Sequence, residues 1–350
     1  MRYQILVFLL LICTLANSQD AVFSQFYALP VSLNPALSGT YDGKYRVSAI
    51  HREQWRSVID EPFRTYGLGL DLRFDVDPKG INKDFFSGSI VFQTDRAGIL
   101  EYTLNQMYLA GAYHKSLDNS RTQYLGAGIQ IGMNQRSVNF SRINFQDQFN
   151  GIDGYTLPTL ELLPENNIAH GNMAAGLNYI YAPKKNVAIY AGIALHNFLG
   201  PENSFFFKDP NDAVRARGES YRLPARVSFH LASVIPVSEF LDIQPRILAA
   251  MQGPNQLAQL GVNFKFNFLE YELHSLYLGT YLRLANNATS WSTDMLGFLV
   301  GYGYDNLVIG MSYDMTISSL ATYGRTRGAF ELSVSYFGEY EDEDSLCPMF

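Results

Sequence analysis

The chain has 350 residues, of which 47% are hydrophobic, 14% aromatic and only 17% charged, and its formal net charge is −7. The acidic balance excludes nucleic-acid binding, which needs clustered Lys and Arg, and the apolar content excludes a disordered chain. Beyond the N-terminus no apolar run approaches the roughly 20 residues of a membrane helix, so the apolar residues are distributed in another way.

The first element is an export signal at residues 1–18. Arg2 precedes a short apolar stretch, and Ala16 and Ser18 supply the small residues of a cleavage site. The stretch is too short to span a bilayer, which favours a cleaved signal over a retained anchor. Cleavage after Ser18 leaves Cys347 as the one cysteine, so neither an intramolecular disulfide nor a cysteine metal site is expected.

The mature chain is dominated by apolar residues at every second position. Between Leu125 and Asn134, for example, Ile129 and Ile131 alternate with Gln130 and small residues. A strand sends successive side chains to opposite faces, so each such segment has one apolar face and one polar or small face. The segments run to about 9 to 12 residues, the length that a tilted strand needs to cross a bilayer. Aromatic residues near many of their ends are typical of the girdles at membrane interfaces.

The pattern predicts about 14 strands, an even number as in bacterial outer-membrane barrels. In chain order they are residues 45–53, 65–73, 85–93, 104–115, 124–134, 172–182, 187–197, 226–235, 242–252, 258–267, 276–285, 291–304, 307–315 and 329–337. The predicted fold is all-β, a single antiparallel up-and-down transmembrane β-barrel over residues 45–337. A periplasmic N-terminal segment (19–44) precedes it and an acidic tail (338–350) follows it.

The lengths of the connections predict where the termini lie. The two longest connections, residues 135–171 and 198–225, are the fifth and the seventh, and the tight links 183–186 and 305–306 are even-numbered. Odd-numbered connections face outward and are the longer ones when both termini are periplasmic, so periplasmic termini are predicted. The connection 252–257 is short for an outward-facing one.

Catalytic, cofactor and metal motifs are not found in the sequence. The six His residues lack the spacing of metal ligands, and the glycines at 126, 128 and 132 lie within a strand pattern rather than at the start of a helix. No cofactor and no metal are therefore predicted. His196 and Ser228 are candidates for a membrane-embedded hydrolase, but the sequence does not bring them together. A non-enzymatic protein is the favoured interpretation.

Motifs at the two ends of the mature chain carry a family resemblance. They lie at residues 23–27, 33–39, 51–55, 313–320, 327–331 and 347–350. Together and in this order they resemble the PorP/SprF family of Bacteroidota outer-membrane proteins, while the middle of the chain is similar only as a generic barrel. By this resemblance, the residues with a partner-docking or barrel-mouth role are Phe23, Ser24, Gln25, Asn34, Pro35, Gly39, Glu53, Trp55, Tyr313, Asp314, Cys347, Pro348 and Phe350.

The resemblance implies a function in the type IX secretion system. It implies a barrel that is either a core component or an accessory of one cognate adhesin, of a gliding or adhesion type. The implied partners are outer-membrane lipids, other secretion components and a large secreted surface adhesin with a C-terminal targeting domain. The implied location is the outer membrane. A channel for a small solute is the alternative function that the strand pattern leaves open.

Several of these motifs have two readings at the level of sequence. Residues 23–39 either pack the barrel mouth or dock a partner, and Trp55, just past a strand end, is expected to anchor the barrel at an interface. The acidic run at 339–344 is either a solvated tail or a docking site for a basic periplasmic partner. Cys347 is a free thiol, half of an intermolecular disulfide or a site of lipid attachment. Phe350 lies beyond the acidic run, which leaves its role open.

Overall fold

The alternating segments form one closed antiparallel barrel of 14 strands in the computed structural model. The structure describes residues 22–57, 59–76, 83–120, 122–184, 187–205, 222–268, 274–287, 290–317 and 328–338. The strands are β1 (Tyr45–Gln54), β2 (Phe63–Asp75), β3 (Phe85–Ala97), β4 (Tyr102–Ser116), β5 (Gln123–Ser137), β6 (Asn167–Lys184), β7 (Val187–His196), β8 (Arg226–Ser238), β9 (Leu241–Gln252), β10 (Asn255–Asn267), β11 (His274–Asn287), β12 (Trp291–Tyr304), β13 (Leu307–Thr316) and β14 (Gly328–Phe337). The predicted fold class is confirmed.

The barrel closes between its first and last strands. Each strand pairs with its neighbours in sequence, and β1 pairs with β14 from Arg46↔Phe337 to Gln54↔Ala329. Closure matters in a membrane because the backbone groups of an open sheet edge would be left unpaired in hydrocarbon. No helix among the described residues is long and apolar enough to cross a membrane.

The two faces of the wall follow the predicted alternation. In β5, Ile129 is 62% exposed on the outside, whereas its neighbour Gln130 is 3% exposed and points into the barrel. The same holds in β14, where Phe330 faces outward and Glu331 is fully buried inside. The outer face is therefore an apolar band and the inner wall is polar, as a barrel in a lipid bilayer requires.

The two ends of the barrel differ in what they carry. β1 begins and β14 ends at one end, the terminal end, and the odd-numbered connections lie at the opposite end, the loop end. The loop end carries the fifth and seventh connections. The fifth contains two short 3-10 turns, Phe140–Arg142 and Gln146–Gln148.

The N-terminal segment enters the barrel. Residues 22–41, called the plug from here on, lie inside the lumen, and the periplasmic location of residues 19–44 stays a prediction. They form a 3-10 turn (Phe26–Ala28), one α-helical turn (Pro30–Leu33) and a second 3-10 turn (Pro35–Leu37). Their polar residues find partners on the inner wall, so the segment is part of the barrel core rather than an external arm.

Most strands extend a few residues beyond their predicted bounds, and two of these differences have a local reason. β6 begins at Asn167, five residues earlier than expected, because the polar and small residues at its start conceal the alternation. β10 begins at Asn255, directly after the pair Gly253-Pro254, and Gly253 has a positive φ of 57°. Glycine adopts this conformation without strain, which allows the ninth connection to be short.

Candidate functional site: the plug and its anchors

A buried cluster of charges near the loop end holds the start of the plug. Arg52 of β1 pairs with Asp314 of β13 at 2.9 Å and with Glu331 of β14, and all three side chains are almost completely buried. The backbone N–H groups of Ser24 and Gln25 donate to the two oxygens of Glu331 at 2.8 and 2.9 Å. The Ser24 hydroxyl donates to Asp314 at 2.7 Å. Residues from the two ends of the chain thus form one site, the loop-end anchor.

Gln25 extends this anchor through its amide group. Its Nε2 donates to the Ser312 hydroxyl at 3.1 Å, and its Oε1 accepts from the Ser333 hydroxyl at 2.8 Å. The Gln25 side chain lies against Gly310, where an added Cβ would approach Oε1 to 2.6 Å. The Gln25 side chain therefore fits against the wall because the residues it contacts there, Gly310, Ser312 and Ser333, are small. Phe23 packs beside this anchor in an apolar cluster with Leu29, Val31, Ile50, Val91 and Tyr108.

The middle of the plug forms hydrogen bonds with His196 and Ser228, the two residues that the sequence offered as candidates for a hydrolase. His196 Nε2 and the Ser228 hydroxyl both donate to the backbone oxygen of Leu33, at 2.9 and 3.1 Å. The structure thus brings His196 and Ser228 together, but onto a carbonyl of the plug. A general base would instead have to accept the serine proton. Their observed contact is attachment of the plug to β7 and β8.

Asn34 and Pro35 fit into a recess in the barrel wall. The Asn34 side chain caps the following turn by accepting from the Ala36 N–H at 2.9 Å, and its Nδ2 donates to the Leu177 oxygen of β6 at 3.0 Å. The recess exists because two wall residues are glycine. A Cβ on Gly176 would stand 1.9 Å from Asn34 Oδ1, and one on Gly128 would stand 2.5 Å from the Ala36 nitrogen. Gly128, one of the glycines of the β5 pattern, is thus a partner of the plug.

A second buried carboxylate holds the end of the plug near the terminal end. Asp71 of β2 accepts from the Ser38 hydroxyl at 2.9 Å and from the Gly39 N–H at 3.1 Å. Arg46 of β1 pairs with the same carboxylate at 2.6 Å, so its charge is compensated. Gly39 has a φ of 74° and lies against Ser87, which favours glycine on both counts. This group is called the terminal-end anchor.

Tyr27 borders the space that the plug leaves free. The Arg246 guanidinium lies 3.9 Å from the centre of its ring, and burial raises the pKa of the Tyr27 hydroxyl to about 12, so the phenol is neutral at neutral pH. Beside it is a cavity of about 190 Å³ on the side of β8–β14. Polar side chains of Asp242, Gln244, Asn263 and Lys265 contribute to its lining. The lumen is therefore occupied by the plug but not completely filled.

Glu53 and Tyr313 lie away from the plug, on the outer face. Glu53 forms ion pairs with Arg56 at 2.7 Å and with Arg64 at 3.3 Å beside the loop end. Tyr313 is 45% exposed on the apolar outer face, although its neighbour Asp314 is fully inside. The structure thus brings together Ser24, Gln25 and Asp314, and it does not bring Glu53 or Tyr313 to them.

Trp55 lies at the loop end of β1 in a left-handed conformation. Its φ is 63°, its N–H donates to the Gly328 oxygen at 2.9 Å, and its ring packs 5.0 Å from that of Phe63. The expected role of Trp55 as an interface anchor stays a prediction. The signal at 1–18, the acidic run and the three C-terminal residues Cys347, Pro348 and Phe350 lie outside the described residues.

Three connections at the loop end are linked to one another. The Asn139 N–H donates to the Leu100 oxygen at 2.9 Å, and Asn139 Nδ2 donates to Glu101 at 3.0 Å. Arg142 pairs with Glu61 of the first connection at 3.4 Å. The first, third and fifth connections therefore form one polar network above the barrel.

Asp147 organises the fifth connection, and its removal tests that organisation. It accepts from the Leu160 N–H at 2.7 Å and from the Thr159 hydroxyl at 3.0 Å. The Leu160 N–H bond lowers the pKa of Asp147, so the contribution of Asp147 to stability is present above the unfolded pKa of about 3.9 and is lost as the pH falls through the lower pKa of the folded protein. We expect the protection factor of the Leu160 amide, its exchange relative to the intrinsic rate at the same pH, to fall in that acidic range, and to be low at pH 7 in Asp147→Ala. Glu161→Ala is the control, and equal protection in both variants would contradict the assignment.

Comparison with known families decides where the chain belongs. Residues 15–336 match the family described as type IX secretion system membrane protein PorP/SprF. The chain belongs to the PorP/SprF family. The match includes both anchors, since Ser24, Asp71 and Glu331 all lie within it.

Solved structures resemble this PorP/SprF barrel only in fold. The CymD monoaromatic hydrocarbon channel is 9% identical, with a TM-score of 0.49 over 93% of this chain and 96% of CymD. The toluene transporter TodX of Pseudomonas putida is 10% identical, with a TM-score of 0.45 over 91% of this chain and 94% of TodX. At these values the likeness carries no argument about function. No curated protein sequence matches the chain.

The residues that sequence reasoning missed are the wall partners of the plug. Arg52 and Glu331 lie within two of the family motifs, at positions to which the resemblance assigns no role, and Asp71 and Arg46 lie outside the motifs. One signal could have identified them, because all four are charged residues at inward-facing positions of predicted strands. A charge enclosed in a barrel needs a partner, and such positions are therefore candidates for contact with another segment.

Proposed function

We propose that this PorP/SprF protein is a non-enzymatic platform of type IX secretion that supports the export or surface attachment of one cognate secreted adhesin. The observation that carries the proposal is the plug, which occupies the lumen and is held by buried carboxylates near both ends of the barrel. A lumen occupied in this way suits a fixed support more than an open pore. Family membership supplies the secretion system.

The proposal includes an orientation in the outer membrane. The terminal end faces the periplasm and the loop end faces the cell exterior. The long fifth and seventh connections support this orientation, because outer-membrane barrels have short periplasmic turns and longer external loops. The adhesin, carrying its C-terminal targeting domain, then meets the linked connections of the loop end.

Deletion of the gene tests the proposal. The expected result is that one large surface protein is no longer exported or attached, while other cargo of the same secretion system still reaches the surface. Surface proteomics of the deletion strain and of the complemented strain measures this. Loss of all cargo would identify a core component instead, and unchanged levels of every surface protein would contradict a role in secretion.

A channel for a small solute is the second candidate function, and the cavity beside Tyr27 favours it. That cavity holds about 190 Å³ and is lined by both charged and aromatic groups. Conductance of the purified wild-type protein in planar bilayers, together with loss of solute uptake on deletion, would support this function. A wild-type protein that does not conduct would support the platform.

A further inference from the structure

The outer face of the β2–β3 hairpin carries two arginines at the loop end. Arg64 of β2 and Arg96 of β3 are paired with each other in the register of the two strands. Arg64 lies on the same face of β2 as Tyr66 and Leu68, and Arg96 lies on the same face of β3 as Phe92, all of which are exposed on the outside of the barrel. The two arginines are therefore neighbours on the outer face of the wall.

These arginines stand directly beyond the apolar band. On β2 the outward residues from Phe74 to Tyr66 are all aromatic or aliphatic. At about 3.3 Å per residue this part of the strand is about 26 Å long, comparable to the apolar band of about 25 Å in a membrane barrel. His51 of β1 stacks on Tyr66 with 4.5 Å between the ring centres, so aromatic rings mark the loop-end border of the band. Arg64 and Arg96 follow this border, at the depth of the lipid headgroups.

Each of the two arginines contacts one glutamate, and neither contact is extensive. Arg64 Nε lies 3.3 Å from Glu53, and Arg96 Nη1 lies 3.6 Å from Glu101. The side chains of Arg64 and Arg96 are 39% and 56% exposed, and ion pairs at this exposure hold a guanidinium weakly. Glu53 also shares its carboxylate with Arg56 at 2.7 Å. Among the described residues the two guanidinium groups form no further ion pair, which leaves them donors for another acceptor.

The register of the hairpin favours an anion between the two guanidinium groups. Like charges directly opposite each other on neighbouring strands repel, and an anion that contacts both would remove this repulsion. Phosphate is the anion that fits, because a guanidinium donates two parallel N–H bonds to its oxygens. Membrane lipids carry phosphate groups at the depth where Arg64 and Arg96 lie.

We infer that Arg64 and Arg96 bind the phosphate of a membrane lipid at the loop-end interface. The acyl chains of this lipid lie along the outer face of the same hairpin, where Leu68, Ile90 and Phe92 are exposed. The phosphate chemistry does not depend on which end of the barrel faces outward. The identity of the lipid rests on the orientation in the proposed function, in which it is a phosphorylated glycolipid of the outer leaflet.

Native mass spectrometry of the purified full-length barrel in detergent tests this site. The probe is lipid A with its phosphates, and lipid A without phosphate is the reference. We expect Arg96→Gln to weaken binding of the phosphorylated probe about threefold and Arg64→Gln/Arg96→Gln to weaken it about tenfold, since charge-assisted contacts are lost. Binding of the reference should be the same in all proteins.

Lys184→Gln is the control for the loss of a positive charge. Lys184 is exposed at the terminal end of β6, away from the hairpin, so its replacement should leave binding of the probe at the wild-type level. Heat-modifiable migration verifies that each variant is folded. Binding of the phosphorylated probe by the wild type should also weaken as the salt concentration rises.

Two results would overturn the inference. One is equal binding of the phosphorylated probe by the wild type and by a folded Arg64→Gln/Arg96→Gln barrel. The other is equally tight binding of inorganic phosphate alone, which would identify a site for a free anion rather than for a lipid. Neither result bears on the proposed function, which is measured by surface proteomics of the deletion strain. A deletion without effect on surface proteins would in turn leave the lipid site standing, because the probe binds to the purified barrel.

Discussion

Replacing Arg52 by alanine is expected to destabilise the plugged barrel by about 3–5 kcal/mol, the usual effect of removing one partner from a buried ion pair. Arg52 lies between Asp314 and Glu331, so its loss removes the close counter-ion of both enclosed carboxylates and leaves only Arg283, 3.9 Å from Asp314. The same carboxylates receive the Ser24 hydroxyl and the Ser24 and Gln25 N–H groups. The start of the plug should therefore detach before the wall unfolds. Denaturant titration in detergent and amide exchange at Ser24 and Gln25 measure the two effects.

Arg64→Ala is the matched control for this change. Arg64 pairs with Glu53 at 3.3 Å, but its side chain is 39% exposed, and such surface pairs contribute about 0–1 kcal/mol. Equal stability of the Arg52→Ala and Arg64→Ala proteins would show that the loop-end anchor does not hold the plug. A double variant that also replaces Glu331 by Gln should recover part of the loss, because it removes one of the unpaired charges.

The barrel wall could be predicted from the sequence strand by strand. For residues 23–39 the sequence left packing of the barrel mouth and partner docking both open, and it did not indicate their contacts inside the lumen. Alternation is a local property, so β5 and β14 can be recognised from their own residues. The loop-end anchor joins Ser24 to Glu331, and no local pattern encodes a contact between the two ends of the chain. The family motifs indicated both regions, since they include Arg52, Asp314 and Glu331. They did not indicate that these residues contact one another.

The boundaries of β6 illustrate a second limit of the sequence. At its start, polar Asn167 and small Ala169 and Gly171 occupy the outward positions, so the apolar alternation that marks a membrane strand is absent. The strand continues there because it pairs with β5, which is a property of the sheet. The start of β6 at Asn167 could therefore not be recognised from the sequence.

Gly176→Val is expected to displace the plug without altering the charges of the wall. A Cβ at this position would stand 1.9 Å from Asn34 Oδ1 and 3.3 Å from the Ala194 Cβ, so the added side chain occupies the recess of Asn34. Asn34 is fully buried and forms hydrogen bonds through both of its polar atoms, so it has no adjacent space to enter. The turn at Asn34-Pro35 should move away from the wall, and planar-bilayer conductance should rise above that of the wild type.

Gly88→Val is the control, since an added Cβ there meets nothing within 4 Å. If the Gly176→Val barrel is folded and remains closed to ions, the plug is not the element that seals the lumen. The variant also tests whether the platform depends on a closed lumen. A platform that acts from the loop end should keep exporting or holding its partner when the lumen conducts, because the fifth connection is unchanged. Loss of the surface protein from a folded, conducting Gly176→Val barrel would show that the plug itself takes part in export or attachment.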